Sequence, residues 1–515
     1  MMKATRFVDK LDDVLNPIVV KELRQAVKSR IVLSALMLFL LVQLFILLLS
    51  LSFNDRRAID EVNLHAGREI FQILQGILLG TCLLLIPAYA GVRLASEHSD
   101  TNVDLLFIST LRPRGIIAGK LQASVVLILL IFSACAPFMT FTYLLRGIDI
   151  PSIILVLVMD FLVVLLCTQG AIFLGAVPAS TSLKLLLGLF GLGLLFTVGS
   201  STMGSSIAML ELGLGSRLDT VEFWLIAGSV AIAIVAAIGL MFTWSVAIVS
   251  PPSANRALPV RLYLLGFWLI TGVVAALLTR YFRLPIPLFV WVAVVVALLC
   301  AQIVVSINER EQWGLRVRRT IPRRWWLRGP AFLTYSGAAG GVLFAVLLMA
   351  LTFIFASVPL RYWVDLSPVL ARTESVLGRR YTLAFLLVAL YTFDYGMAGV
   401  WLRNTLLHRR IKASNTWVLA LLLVGLGSSL PYVLVFWLQN DETRYGNIDP
   451  WWQISNPFST LYTCVAESGI DAENFSELSV LFLAAMGLLS LTGCVPWMAR
   501  QIARFQPPDR ATVVN

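Results

Sequence analysis

Two features of this 515-residue chain contain residue types that could do chemistry, and the first is a glycine-lysine segment. The segment "GIIAGK" ends at Lys120 in the manner of a phosphate-binding loop. Such a loop needs four residues between its glycines and a Ser or Thr after the lysine. Here three residues separate Gly115 from Gly119, and Leu121 follows the lysine. We therefore predict no nucleotide site, and we interpret Lys120 as an anchor at the membrane interface.

The second feature is a pair of carboxylates, Asp160 and Asp394, each inside a long apolar run. A charge deep in a membrane is costly and marks a functional position by default. The two acids could line a transport path or join two halves of the protein, or each could be a hydrogen-bonded packing residue. No other constellation points to catalysis, since the three histidines lie outside the apolar runs and the six cysteines contain no CxxC pair. We predict no enzyme, and no metal or cofactor bound by this chain.

The apolar runs define the fold class. The chain is 58% hydrophobic and 13% charged, whereas a soluble domain would carry roughly twice that charge. Many runs are long enough to cross a bilayer as a helix. We predict an all-α integral membrane protein with about twelve transmembrane helices, at 31–53, 70–94, 121–145, 152–176, 183–210, 221–249, 262–279, 285–306, 331–357, 381–402, 416–438 and 478–499.

The net charge of +11 is unevenly distributed over the predicted loops. If the N-terminus is cytoplasmic, 28 of the 40 lysines and arginines lie in cytoplasmic loops and their flanks. The positive-inside rule accounts for this bias, so the basic charge needs no nucleic-acid partner. We expect both termini in the cytoplasm.

Internal similarity divides the chain into two units. Three residues of 109–120 match three of 319–330 at an offset of 210, and Asp160 matches Asp394 at an offset of 234. An even number of spans gives both units the same orientation, so we predict two parallel six-helix repeats, which suit transport at the repeat interface. The predicted parts are an N-terminal segment, a first unit and a second unit: 1–30, 31–257 and 258–515.

The stretch 15–30, "LNPIVVKELRQAVKSR", predicts an amphipathic helix before the first span. Its first residues suit an N-cap and a first helical turn. Apolar residues recur at spacings of three and four, and basic residues take the other positions. A helix of this kind can lie at the inner headgroup level. Its candidate residues are Asn16, Pro17, Lys21, Glu22, Leu23 and Arg24.

The loop between spans 2 and 3, 96–120, predicts a short helix that docks on a soluble partner. The segment "TNVD" fits a helix start with a threonine cap. The apolar residues "LLFI" follow, and in a water-facing loop they are unfavourable unless a partner or the protein's own spans cover them. The candidate docking residues are Glu97, Thr101, Asp104, Leu105, Leu106, Phe107, Thr110 and Arg114.

The loop between spans 8 and 9, 308–330, repeats part of this pattern. It also starts with acids, Glu309 and Glu311, and it places Thr320 and Arg324 at matching positions. We interpret it as a second coupling-like loop.

The chain resembles the permease subunits of type-2 ABC transporters, which are mostly exporters. Three features carry the resemblance: the helix 15–30, the loop 96–120 and the six-span unit. The resemblance implies that 15–30 is the elbow helix and that 96–120 contains the coupling helix, which sits in a groove of a separate ATPase subunit. It also implies two copies of that ATPase, ATP and magnesium bound there, and a bacterial plasma membrane. Most members have one six-span unit and dimerise, whereas this chain has two units and no clear second elbow.

Two other functions stay open. An ion-driven secondary carrier can also have two parallel six-span halves, although the loop between spans 2 and 3 lacks the Gly-Asp-Arg-Arg pattern of the major facilitators. The chain could also be a non-transporting scaffold in a multi-subunit membrane complex. The longest outer loop, 439–477, could gate an outer opening or simply be solvated.

Overall fold

Long apolar segments fold as helices because a helix satisfies every backbone N–H and C=O within the segment, as a bilayer requires. All regular structure among the described residues is accordingly helical. The computed structural model describes residues 17–57, 66–97, 112–145, 148–178, 180–251, 253–362, 368–407, 411–439, 450–466 and 470–508.

The chain divides into two compact units, Met1–Pro251 and Pro252–Asn515. The helices of the first unit are α1 Pro17–Lys28, α2 Arg30–Arg57, α3 Ala66–Glu97, α4 Pro113–Leu144, α5 Ile150–Ala176, α6 Thr181–Glu211, α7 Leu214–Arg217 and α8 Val221–Val249. Those of the second unit are α9 Ala257–Phe282, α10 Ile286–Ile307, α11 Leu315–Arg318, α12 Trp325–Thr334, α13 Ala338–Tyr362, α14 Pro368–Thr405, α15 Thr416–Gln439, α16 Pro457–Ala466 and α17 Ile470–Arg504, with 3₁₀ turns at Ala413–Asn415 and Pro450–Gln453.

Twelve of the described helices are long and apolar enough to cross a membrane. They confirm the predicted all-α membrane class and the predicted number of spans. The helices extend beyond the apolar runs, since α4 begins at Pro113 although the predicted span begins at 121. In the first unit the spans are α2 to α6 and α8, and in the second they are α9, α10, α13, α14, α15 and α17.

The centre of the first unit is formed by α3 and α5. Helix α3 packs against α4 and α5, and α5 packs against α8. The backbones of α3 and α5 approach closely, because a Cβ added at Gly175 would lie 2.5 Å from the carbonyl oxygen of Gly91. Small residues at such a crossing allow the close packing that holds membrane helices together.

The second unit shares part of this pattern of neighbours. Helix α10 packs against α13 and α14, and α14 packs against α15 and α17. In each unit, therefore, the second span contacts the third and fourth spans, and the fourth span contacts the sixth.

Part of the loop 439–477 is packed against α14 of the second unit. The Tyr391 hydroxyl on α14 donates to the Ile454 carbonyl at 2.6 Å and lies 2.9 Å from the Thr460 hydroxyl. Thr460 and Cys464 of α16 are buried. The expectation of a merely solvated loop is wrong over 450–466, because a helix with a buried face fills this region.

Candidate functional site

Helix α1 carries an acid in the middle of its packed face. It begins at Pro17, and its predicted cap Asn16 lies outside the described residues. Val19, Glu22 and Ala26 are buried, and their spacing of three and four places them on one side of the helix. Of the other elbow candidates, Lys21 and Arg24 are exposed, and Leu23 is half-buried.

Glu22 belongs to a group of five charged residues. The Lys120 ammonium lies 2.8 Å from Glu22 Oε1 and 2.8 Å from Glu97 Oε2. Arg93 Nε lies 3.4 Å from Glu22 Oε2, and Lys21 Nζ lies 3.6 Å from Glu97 Oε1. We call these residues the Glu22 cluster. Three bases therefore surround two acids, and the innermost pair is Glu22 with Lys120.

The burial of Lys120 corrects its interpretation as an interfacial anchor. Its side chain is only 4% exposed, and its ammonium is paired with the carboxylates of Glu22 and Glu97. The two carboxylates accept the hydrogen bonds that water would otherwise accept. Removing one partner of such a buried pair leaves an uncompensated charge, which is strongly destabilising.

The Glu22 cluster joins the two sides of the loop predicted to dock on a partner. Glu97 is the last residue of α3, and Lys120 belongs to α4, the next described helix. The ion pair between them therefore joins the two ends of the loop, and Glu22 links these ends to α1. Arg114 is exposed in the first turn of α4. The other docking candidates lie outside the described residues: Thr101, Asp104, Leu105, Leu106, Phe107 and Thr110.

A second buried ion pair lies after the second span of the second unit. Arg261, near the start of α9, is fully buried, and its Nη2 lies 2.7 Å from Glu309 Oε1. Arg261 Nη1 also donates to the carbonyls of Leu333 and Tyr335, and the Gly337 amide donates to Glu309 Oε2. These contacts connect the start of α9, the end of α10 and the segment that leads into α13.

The packing around this pair is tight. A Cβ added at Gly341 would lie so close to Arg261 Nη2 and Ser306 Oγ that these side chains would have to shift. Burial raises the pKa of Glu309 above its ordinary value, and the Arg261 guanidinium and the Gly337 amide act against that shift.

Glu311 forms separate contacts from those of Glu309. Its Oε1 accepts from Arg403 at the end of α14 and from Trp497 Nε1 of α17, the latter at 2.8 Å. Arg403 Nη1 also donates to Thr416 Oγ1 at 2.8 Å, at the start of α15. The second acid of the loop therefore ties three spans together.

The remaining candidates of the loop 308–330 lie at its surface. The Thr320 carbonyl accepts from the Tyr335 hydroxyl at 2.9 Å. Arg324 precedes α12, and its guanidinium carbon lies 6.0 Å from the ring centroid of Trp326. The two acids and these two residues therefore take part in different contacts.

The intramembrane acids have different surroundings, each within its own unit. Asp160 is 1% exposed, and Gln75 Nε2 donates to its Oδ2 at 2.8 Å and to Ser206 Oγ at 3.0 Å. Asp394 is half-buried. Among the described residues, neither of its carboxylate oxygens has a hydrogen-bond partner. A Cβ added at Gly487 of α17 would lie 2.8 Å from Asp394 Oδ1.

The sequence did not predict which groups form ion pairs with Lys120, Glu309 and Glu311. The pairing of Lys120 with Glu22 had one signal in the sequence: Glu22 is the one acid of 15–30, and it shares a helical face with Val19 and Ala26. Arg261 and Arg403 carried no such signal, because a base at the edge of a span is what the positive-inside rule already predicts.

The twelve apolar helices and the buried ion pairs at their ends define the chain as an all-α, multi-pass membrane protein. Comparison with protein-family models, with curated proteins and with solved structures finds no match.

Proposed function

We propose that this chain is the membrane-spanning permease subunit of a type-2 ABC transporter, with ATP hydrolysed by a separate subunit that docks on the loop after α3. The observation that supports the proposal most directly is the Glu22 cluster. It connects the elbow-like helix α1, the span before the docking loop and the span after it through two ion pairs of 2.8 Å that share the buried Lys120.

A docking loop can drive a membrane protein only if its displacement reaches the spans. Packed helices and ion-pair networks with discrete arrangements carry such coupling. The Glu97–Lys120 pair would make the two sides of the loop move together, and Glu22 would add α1 to the same body. If no ion pair joined the two ends of the loop, the loop could move without moving the spans.

The matching neighbour pattern of the two units supports a parallel repeat. An acid follows the second span of each unit, Glu97 in the first and Glu309 in the second, and each is held by a buried base. The base comes from α4 in the first unit and from α9 in the second. In the second unit, therefore, the ion pair beside the loop is formed with a residue of α9, and no elbow helix like α1 takes part in it among the described residues.

Copurification with an ATPase subunit tests the proposal. We expect a tagged wild-type chain to retain an ABC ATPase, and the change Leu105→Asp with Leu106→Asp to abolish its retention, because two carboxylates cannot enter an apolar groove without a large desolvation cost. Leu406→Asp is the control, since Leu406 is 72% exposed beyond the end of α14 and should leave retention unchanged. Full recovery of the ATPase by the double variant would contradict docking at this loop.

One observation favours an ion-driven carrier as the second candidate. Asp394 lies inside a span, and both of its carboxylate oxygens lack hydrogen-bond partners among the described residues. An intramembrane acid of this kind is typical of proton and ion pathways. Gradient-driven transport without any ATPase would favour this candidate.

A further inference from the structure

The loop 308–330 presents a basic surface on the C-terminal side of its two acids, Glu309 and Glu311. From 312 to 339 the chain contains six arginines and neither Asp nor Glu. Four of these arginines are exposed, namely Arg316, Arg319, Arg323 and Arg324. Within the described part of the chain, none of the four forms an ion pair. Their positive charge is therefore available to an external anion.

Two tryptophans stand beside this charge. Trp325 is 82% exposed and Trp326 is 54% exposed. Arg324 lies over the ring of Trp326, so the aromatic and the basic groups form one surface. Large aromatic side chains are unfavourable in water, but at a membrane interface the indole ring suits the headgroup level.

The position of the surface in the chain places it next to the bilayer. Helix α10 ends at Ile307 and α13 begins at Ala338, so the loop leaves and re-enters the membrane on one side. Its last residues are anchored by Arg261 through the carbonyls of Leu333 and Tyr335. Helix α12, Trp325–Thr334, contains Leu333 and ends one residue before Tyr335, so the anchor holds its C-terminal end.

The chemistry of this surface differs from that of the first loop. The first loop contains the apolar residues Leu105, Leu106 and Phe107, which suit an apolar groove in a protein. The second offers guanidinium groups and indole rings. A guanidinium binds a phosphate with two parallel hydrogen bonds, and basic residues with tryptophan are typical of surfaces that lie on anionic lipid.

We propose that the exposed arginines and tryptophans of 315–326 bind the phosphate headgroups of anionic phospholipids in the leaflet next to α10 and α13. The arginines contact the phosphodiester groups, and Trp325 and Trp326 enter the headgroup region. The site is independent of any ATPase, so it goes beyond the proposed transport function.

The test uses the purified full-length chain in mixed micelles of detergent with phosphatidylglycerol or phosphatidylcholine. The thermal unfolding midpoint is followed as the lipid fraction rises. We expect phosphatidylglycerol to raise the midpoint of the wild type more than phosphatidylcholine does. The change Arg323→Gln with Arg324→Gln should raise the half-saturating phosphatidylglycerol fraction about 25-fold, since each of the two basic residues contributes roughly a factor of five.

The matched control is Arg500→Gln with Arg504→Gln. Both residues are exposed at the end of α17, so this variant loses the same charge without altering the arginine-tryptophan surface. It should keep the wild-type dependence on phosphatidylglycerol. Inorganic phosphate and glycerol 3-phosphate should give no shift, because they lack the acyl chains that hold a lipid at the interface.

Three results would overturn the proposal. One is an equal loss of phosphatidylglycerol dependence in both double variants, which would indicate general charge attraction. Another is a full effect of free phosphate, which would indicate a soluble anion site. The third concerns the double variant Arg323→Gln with Arg324→Gln. If its lipid dependence were unchanged and it no longer retained the ATPase, this surface would be a protein-docking site. Because the lipid titration contains no ATPase, its failure leaves the permease proposal unaffected.

Discussion

At the scale of single residues, Asp160 and Asp394 show that matching sequence positions can have different surroundings. Asp160 is buried, and one of its carboxylate oxygens accepts a hydrogen bond from Gln75, whereas Asp394 is half-buried and neither of its carboxylate oxygens has a hydrogen-bond partner among the described residues. A buried polar group that is hydrogen-bonded fits a packing role. An unpaired carboxylate in a span fits a role in ion binding or in a path.

Isosteric amides separate these two roles. We expect Asp394→Asn to lower transport at least tenfold, the equivalent of about 1.4 kcal/mol of barrier, because an amide cannot take up or release a proton. The matched control Asp160→Asn should keep transport near the wild-type level, since its amide oxygen can still accept from Gln75. Two assays in proteoliposomes measure transport. The first follows the collapse of an imposed proton gradient as each compound of a panel is added. The second measures ATP-driven transport with the ATPase present.

The outcome also distinguishes the two candidate functions. Loss of gradient-driven transport in Asp394→Asn supports the ion-driven carrier. Wild-type behaviour of Asp394→Asn in both assays would contradict a pathway role for this acid.

At the scale of elements, the Glu22 cluster attaches α1 to α4 across 98 residues of sequence. The attachment is buried, with Glu22 and Lys120 both about 5% exposed or less. An exposed ion pair such as Lys21 with Glu97 contributes little to stability, whereas breaking a buried pair is costly. The position of α1 therefore depends mainly on Glu22 and Lys120.

We expect Lys120→Met to lower the free energy of unfolding by about 3–5 kcal/mol, because Glu22 stays buried without its main partner. Lys28→Met is the matched control: Lys28 is exposed at the end of α1, and its loss should change stability by about 0.5 kcal/mol or less. The measurement is denaturant unfolding in detergent.

The double variant Glu22→Gln with Lys120→Met completes the cycle. It should be less destabilised than the sum of its single changes, because the second change removes the charge that the first leaves unpaired. Additive effects, or a Lys120→Met variant as stable as Lys28→Met, would show that the cluster does not hold α1 in place.

At the scale of the whole molecule, the distribution of charge over twelve spans predicts the orientation of the chain. Lysine and arginine are more frequent in one set of loops, 28 against 12, and such loops stay in the cytoplasm. We expect a C-terminal fusion of green fluorescent protein to fluoresce and a C-terminal alkaline phosphatase to be inactive in bacteria.

Truncation after residue 147, between α4 and α5, should reverse both signals because it ends after an odd number of spans. Truncation after residue 252 is the control with an even number of spans, and it should behave as the full chain does. Active phosphatase at the C-terminus would contradict the predicted orientation.

The number, order and approximate places of the spans could be read from the sequence alone. Partition of a segment into a bilayer is a sum of local transfer free energies, so each apolar run reports on its own helix. The same local reasoning did not give the start of the third membrane helix, since the predicted span begins at 121 and α4 begins at Pro113. Lys120 stands at the edge of an apolar run, yet it lies two turns inside α4.

Only the tertiary structure decided which charges meet. The partners Lys120 and Glu22, Arg261 and Glu309, and Arg403 and Glu311 are far apart in sequence, and their pairing depends on how neighbouring helices pack. Burial then decides the strength of each pair, since the same side chains at the surface would be solvated and weakly coupled. Hydropathy is a local property and therefore specified the spans, whereas the pairing of buried charges is a property of the packed helices.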